Sequence, residues 1–167
     1  DSSGNGHDAF LNASPGIQWV QGLLGGALSF PAAGNYVDCG SSSIFDVTDA
    51  ISVAAWVNIS MVPADWTAIV TKGDDAWRLS TDMATTKIHF AVTGAPDYRS
   101  VNGVTELGFG EWHHVVGTYD GSAIRLYVDG TEDAAAAYGG AISTAPHNVC
   151  IGGNSDRSGR EFIGLID

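Results

Sequence analysis

The stretch Glu111-Trp112-His113-His114-Val115-Val116-Gly117-Thr118-Tyr119-Asp120-Gly121 leads, after Ser122 and Ala123, into Ile124-Arg125-Leu126-Tyr127-Val128-Asp129-Gly130. It reads as strand, tight turn, strand, tight turn. Asp-Gly at 120–121 and again at 129–130 suits turn positions that need a positive φ, which costs an ordinary side chain but not glycine. Between the turns, β-branched and aromatic residues alternate with polar ones, the period of a strand with one buried face.

The same alternation spreads outward in both directions. Ile51, Val53, Ala55 and Val57 fall on one face of a strand, and Ser52, Ala54, Trp56 and Asn58 on the other. Ile88, Phe90 and Val92 alternate with Lys87, His89 and Ala91. Further strands are expected at 27–30, 36–39, 66–71, 76–81, 98–101, 147–152 and 161–166. The alanine-rich run Glu132 to Tyr138 has helical propensity but lies between Asp129-Gly130 and Gly139-Gly140, so it is read as an extended strand or loop. About ten short strands at near-regular spacing predict an all-β, two-sheet antiparallel sandwich.

Composition bounds the rest. A chain of 167 residues is read as a single domain spanning 1–167, able to bury roughly 70% of its unfolded surface. With 7 basic against 19 acidic residues the net charge is −12, which repels phosphate backbones and sets nucleic acid aside as a partner. No apolar run approaches the ~20 residues of a spanning helix, so no membrane insertion is expected. Acidity of this kind suits solubility, and equally an extracellular setting with divalent cations. Cys39 and Cys150 stand 111 positions apart, outside any CxxC spacing. They are either a disulfide joining strands that meet in the fold or two small buried hydrophobes.

Five segments, in order, resemble the laminin-G-like and pentraxin-like branch of the concanavalin-A-like jelly rolls, as does the opening hairpin WHHVVGTYDGSAIRLYVDG. They are DSSGNGHDAFLN (1–12), GGALSFPAAGNYVDCG (25–40), ISVAAWVNIS (51–60), AIVTKGDDAWRLS (68–80) and VCIGGNSDRSGREFIGLID (149–167). The resemblance implies a jelly-roll sandwich that lacks the family's first and last strands. It also implies a binding surface more often than a catalytic one. Calcium is the implied cofactor: in the pentraxin branch, acidic and amide residues from loops at two places hold it, which correspond here to Asp74, Asp75, Asn154 and Asp156. A second, structural calcium is implied by related glycanases, where a closing-strand Asp and an early loop carbonyl clamp the ion; Asp167 and Gly34 match those places.

Catalysis has little to stand on. Glu106, Glu111, Glu132 and Glu161 form no closely spaced acidic motif, and no Gly-x-Ser-x-Gly elbow is present. His113 and His114 are adjacent on a strand and so point to opposite faces. His7, His89 and His147 are read as surface or satisfied core residues. Sugar recognition needs aromatic rings for the apolar faces of the ligand and planar polar groups for its hydroxyls. Trp66, Trp77, Arg78, Tyr98, Arg99, Asn102 and Arg157 lie in or beside loops and strand ends and are the candidates. Trp19, Trp56 and Trp112 are expected in the core. The expectation is therefore a non-catalytic recognition module of a secreted or cell-surface protein, binding carbohydrate or a glycoprotein with calcium assistance. The alternatives are a protein-adhesion or accessory domain packed on neighbouring domains, and a glycan-active hydrolase or lyase.

Overall fold

A computed structural model describes residues 4, 6, 8–12, 16–94 and 98–167. Two antiparallel sheets of seven strands each face one another. The first runs, in spatial order, β1 (Phe10–Asn12), β4 (Tyr36–Asp38), β13 (Cys150–Ile151), β6 (Ala68–Thr71), β7 (Trp77–Thr81), β8 (Ile88–Thr93) and β9 (Tyr98–Asn102). The second runs β12 (Thr131–Ala137), β11 (Ala123–Val128), β10 (Trp112–Tyr119), β5 (Ile51–Met61), β14 (Ile163–Ile166), β3 (Gly26–Phe30) and β2 (Gln18–Gln21). One short 3-10 turn, Ser43–Phe45, is the only helical element among the described residues, and no helix is long and apolar enough to cross a membrane. The jelly-roll sandwich expected from alternation is the fold observed.

The opening stretch becomes β10 and β11, and both Asp-Gly pairs are its turns. Asp129 (φ 49°) and Gly130 (φ 80°) form the two-residue reversal into β12, with Val128 paired to Thr131. Val115, Gly117 and Tyr119 face inward, as do Ile124, Leu126 and Val128 across the hairpin. Gly117 is required there: a Cβ at this position would sit 2.3 Å from the Phe90 ring on the facing sheet. The two layers close on each other at that point, with β8 and β9 lying under β10–β12. Glu132 to Ala137 is strand, so the extended reading of the alanine run holds and its helical propensity loses to cross-strand pairing with β11.

Several expectations need correcting. None of the three strand-context tryptophans is core. Trp19 lies on edge strand β2 and is 70% exposed. Trp56 and Trp112 are half-buried on the outer face of the second sheet, where Trp56 packs on His114 at 4.9 Å between ring centroids. Strands also form at 10–12 and 18–21, which alternation alone had not marked. Those expected at 147–152 and 161–166 shrink to 150–151 and 163–166.

Cys39 and Cys150 are both free. They lie on neighbouring strands, but Cys150 pairs with Asp38 while the Cys39 amide bonds to Val149. That one-residue offset sends the two side chains to opposite faces. Cys39 joins the core side and Cys150 the covered outer side. Burial, then the charge of Asp38, raises both thiol pKa values, Cys150 to about 11. The reading as two small buried hydrophobes is the one the fold supports.

Candidate functional site

The outer face of the first sheet carries polar and aromatic side chains. Strand parity places Arg78 and Ser80 of β7, His89 and Ala91 of β8, and Tyr98, Ser100 and Asn102 of β9 on that face, in mutual register. Their neighbours Leu79, Phe90 and Val101 point into the core. A sheet this polar on one face can remain closed only if its polar groups satisfy one another.

Most do so in one chain of hydrogen bonds, with Arg78 Nε left without a partner among the described residues. Asp74 accepts from Arg78 Nη1 at 2.5 Å, and Arg78 Nη2 donates to the Tyr98 hydroxyl at 2.5 Å. Tyr98 in turn lies 2.7 Å from His89 Nε2, and His89 Nδ1 lies 2.6 Å from Asn102 Oδ1. Because the Tyr98 oxygen already accepts from arginine, its proton goes to Nε2, and the ring donates through Nδ1–H to Asn102. Burial, followed by the nearby Arg78 charge, pushes the His89 pKa down to about 4 against the pull of Asn102, so the imidazole is neutral at pH 7. The Tyr98 phenol is raised, chiefly by burial.

Aromatic rings bracket this chain. The Arg78 guanidinium carbon sits 5.1 Å from the Trp66 ring centroid and 5.3 Å from that of Tyr98, within cation–π range of both. Trp66 meets His89 edge-on at 4.6 Å. Trp66 has φ 60°, a left-handed backbone that a tryptophan adopts only under constraint. The arginine and histidine are buried, whereas Tyr98 is 47% exposed and Asn102 also faces solvent. A rigid, desolvated interior thus supports a ring and an amide at the surface.

The other end of the chain is an arginine cluster. Asp74 also accepts from Arg160 Nη1 at 2.9 and 3.0 Å, Arg157 Nε at 3.3 Å and Asn154 Nδ2 at 2.9 Å. Burial raises its carboxyl pKa, but the charges of Arg78 and Arg160, with the hydrogen bonds from Arg78 and Asn154, outweigh that and hold it below the usual value. Three of the protein's seven basic residues converge on this one carboxylate. Local sequence sets the geometry. Lys72 is buried and donates to the carbonyls of Ala145 (2.8 Å) and His147 (3.0 Å) while pairing with Asp46 at 3.1 Å. Gly73 (φ 65°) then turns the chain against His147, where a Cβ would approach the imidazole to 2.6 Å.

The structure sorts the expected site residues. Trp66, Arg78, Tyr98 and Asn102 come together, and Arg157 joins them through Asp74. Trp77 does not: it faces inward at 5% exposure and lines an apolar cleft of about 470 Å³ with Cys39, Phe45 and Val70. Arg99 is likewise turned away, buried beside Gly140 with its guanidinium 3.5 Å from the Ala141 carbonyl. His89 and Arg160 belong to the site and were not among its candidates. The polar half of the alternation in β8 was the signal for His89. His7 lies outside the described residues.

The two acidic loops do meet, but not as an oxygen cage. Asp74 is occupied by guanidinium groups, and Asn154 spends its Nδ2 on Asp74 and its Oδ1 on the Asp156 amide at 2.9 Å. A hard cation seeking six to eight oxygens does not fit what remains. Gly34 and Asp167 do not meet either. Asp167 Oδ2 accepts from the Leu23 and Leu24 amides at 2.8 and 2.9 Å, beside the start of β3, while Gly34 follows its far end at Phe30. Opposite ends of one strand cannot clamp one ion.

Comparison with known proteins places this geometry in a family. The family model described as the concanavalin A-like lectin/glucanases superfamily (Laminin_G_3) matches residues 31–167. No curated protein sequence matches the chain. Among solved structures it is similar to domain 4 of AbnA, a GH43 extracellular arabinanase from Geobacillus stearothermophilus, in complex with arabinotriose. There the TM-score is 0.75 at 19% identity, over 100% of this chain and 82% of that one. The Ruminococcus gnavus IT-sialidase CBM40 bound to α2,3-sialyllactose is similar at TM-score 0.68 and 13% identity, over 84% of this chain and 85% of that one. Domains LG4-5 of the mouse laminin alpha1 chain give TM-score 0.65 at 17% identity over 90% of this chain, which spans 40% of that structure. The inward-facing hairpin, the two seven-stranded sheets and the family match over most of its length have one conclusion: this chain belongs to the concanavalin A-like lectin/glucanases superfamily, in its laminin-G-like branch.

Proposed function

We propose that the protein is a non-catalytic carbohydrate-recognition module of a secreted or cell-surface protein, binding glycan on the outer face of the first sheet around Trp66, Tyr98, Asn102 and Arg157. The observation that carries this reading is the exposed Tyr98 ring and Asn102 amide, both held from beneath by the buried Arg78–His89 chain. Such a platform offers a π-face for a sugar ring and a fixed amide for its hydroxyls at little ordering cost. Two structurally similar domains are bound to arabinotriose and to sialyllactose in their own complexes, which supports a glycan as the ligand class. The non-catalytic part of the reading rests on Asp74. The carboxylate at the centre of the site is held ionised by guanidinium groups that occupy its oxygens, which unsuits it to act as a general acid. Recognition in this reading does not run through calcium, because Asp74 and Asn154 are spent within the protein and the oxygens left fall short of the six to eight that calcium seeks.

A second reading, an adhesion or accessory domain packed on a neighbouring one, draws on the edge strands. Phe10 of β1, Trp19 of β2 and Leu24 in the β2–β3 turn are 78%, 70% and 76% exposed. A glycan array with EDTA present separates the two. Binding is expected, and Tyr98→Ala and Trp66→Ala are each expected to weaken it by about tenfold or more while leaving the circular dichroism of the sandwich intact. Binding to no glycan, or binding untouched by both substitutions, sinks the first reading and leaves the second.

A further inference from the structure

Beside Asp74 lies a second cluster that the glycan reading does not use. Asp75, His147 and Asp156 each present one donor atom, and the three atoms lie within 4.8 Å of one another. His147 Nε2 is 3.7 Å from Asp75 Oδ2 and 3.8 Å from Asp156 Oδ1. Both separations are too long for a hydrogen bond. They are close to the separation of two ligands around one small ion: donors about 2.0–2.1 Å from a tetrahedral centre stand about 3.3 Å apart. Asp156 Oδ2 is also sealed from solvent with no hydrogen-bond partner among the described residues, although a buried carboxylate oxygen is costly to leave unpaired.

The cluster is held in place from behind. Lys72 pins the carbonyls of Ala145 and His147, Gly73 packs flat against the imidazole, and Asn154 Oδ1 holds the Asp156 amide. Asp75 is 69% exposed, so the group opens to solvent on its side, where a water could complete the coordination. One positive neighbour opposes a cation here: Arg157 Nη1 reaches Asp156 Oδ1 at 3.6 Å. Its charge is already shared with Asp74, 3.3 Å from its Nε.

We infer that Asp75, His147 and Asp156 form a binding site for a divalent transition metal of the zinc class, in the same loops where the family resemblance had implied calcium. One imidazole nitrogen with two carboxylates is a mixed donor set that suits borderline-soft ions, whereas calcium asks for oxygen alone and more of it. The bound ion ties the 73–75 turn, the 145–147 segment and the 154–157 loop together at one edge of the arginine cluster.

The test is titration of EDTA-stripped protein with zinc, cobalt(II) and calcium, followed by calorimetry and, for cobalt, by visible absorption. One equivalent of zinc is expected, with a cobalt spectrum of low coordination number. His147→Gln and Asp75→Asn are each expected to weaken zinc binding by about tenfold or more. Asp75→Asn changes an exposed side chain, so it keeps the test meaningful if the histidine variant misfolds. Absence of zinc binding, zinc binding that survives both substitutions, or calcium bound as tightly as zinc overturns the site. These outcomes are independent of the glycan array, so metal and sugar are judged separately.

Discussion

The β10–β11 hairpin and the polar face of β7–β9 are both antiparallel sheet, yet they are held together differently. In the hairpin, the acid of the first turn finds its partners nearby in the chain. Asp120 accepts from Ser122 N (2.9 Å), Ser122 Oγ (2.7 Å), Ala123 N (2.7 Å) and Arg125 Nη1 (2.8 Å), all within five residues. On the polar face the partners are remote: Asp74 meets Asn154, Arg157 and Arg160 across 80 to 86 positions of chain. The hairpin's polar contacts are exposed and replaceable by water. Those of the polar face are mostly part-buried and depend on one another.

That contrast can be broken from its strong side first. Asp74→Ala removes the carboxylate that Arg78, Arg157 and Arg160 share among the described residues and leaves Arg78, 7% exposed, as an uncompensated charge. A loss of about 3–5 kcal/mol in urea unfolding is expected. A loss no larger than that of a surface substitution would mean that water replaces the carboxylate and the face is not interdependent.

The next effect is a pH dependence. In the unfolded chain the His89 imidazole takes a proton near pH 6.5, but in the fold only near pH 4. Between those values the unfolded state binds the extra proton, so acid favours unfolding. Stability is complete above about pH 6.5 and declines through the window down to about pH 4, by on the order of 3 kcal/mol. Denaturation midpoints measured across that window should fall in the native protein and stay flatter in His89→Gln. Parallel curves would remove His89 from the buried chain. The smallest effect belongs to the hairpin. Serine and arginine hydrogen bonds hold the Asp120 carboxyl well below the usual carboxylate range, but the group is fully exposed. Asp120→Ala should move the urea midpoint least of the three, and a shift rivalling that of Asp74→Ala would erase the distinction between the two regions.

The same contrast explains what could be read from residues alone. The hairpin was legible because turn chemistry and period-two alternation are local signals, and Asp129-Gly130 adopted the backbone they demanded. The family resemblance carried the sandwich and placed the 74–75 and 154–156 loops side by side. Which face each residue joined was harder. Arg78 and Arg99 looked equivalent in sequence, yet register sends one to the outer face and the other inward beside Ala141. His89 was set aside because its partners Tyr98 and Asn102 become neighbours only once β8 and β9 are paired. Trp19 is exposed because a strand context of the family pattern does not say whether a facing layer reaches the residue; at the sheet's edge none covers it. Asp167 and Gly34 resembled a clamp by motif position, but β3 separates them along its length.

One feature of the polar face sets stability and recognition against each other. Trp66 holds a left-handed backbone, φ 60°, where a non-glycine residue costs about 1–3 kcal/mol. Under selection for a relaxed backbone alone, the favoured residue at this position is glycine, which relieves the strain and deletes the ring over Arg78. A sequence drifting under that pressure would keep its sandwich and lose its platform. The residue at position 66 therefore gives a way to sort relatives of this chain: those with an aromatic here keep the strained corner, and those with glycine have exchanged it for a quieter scaffold.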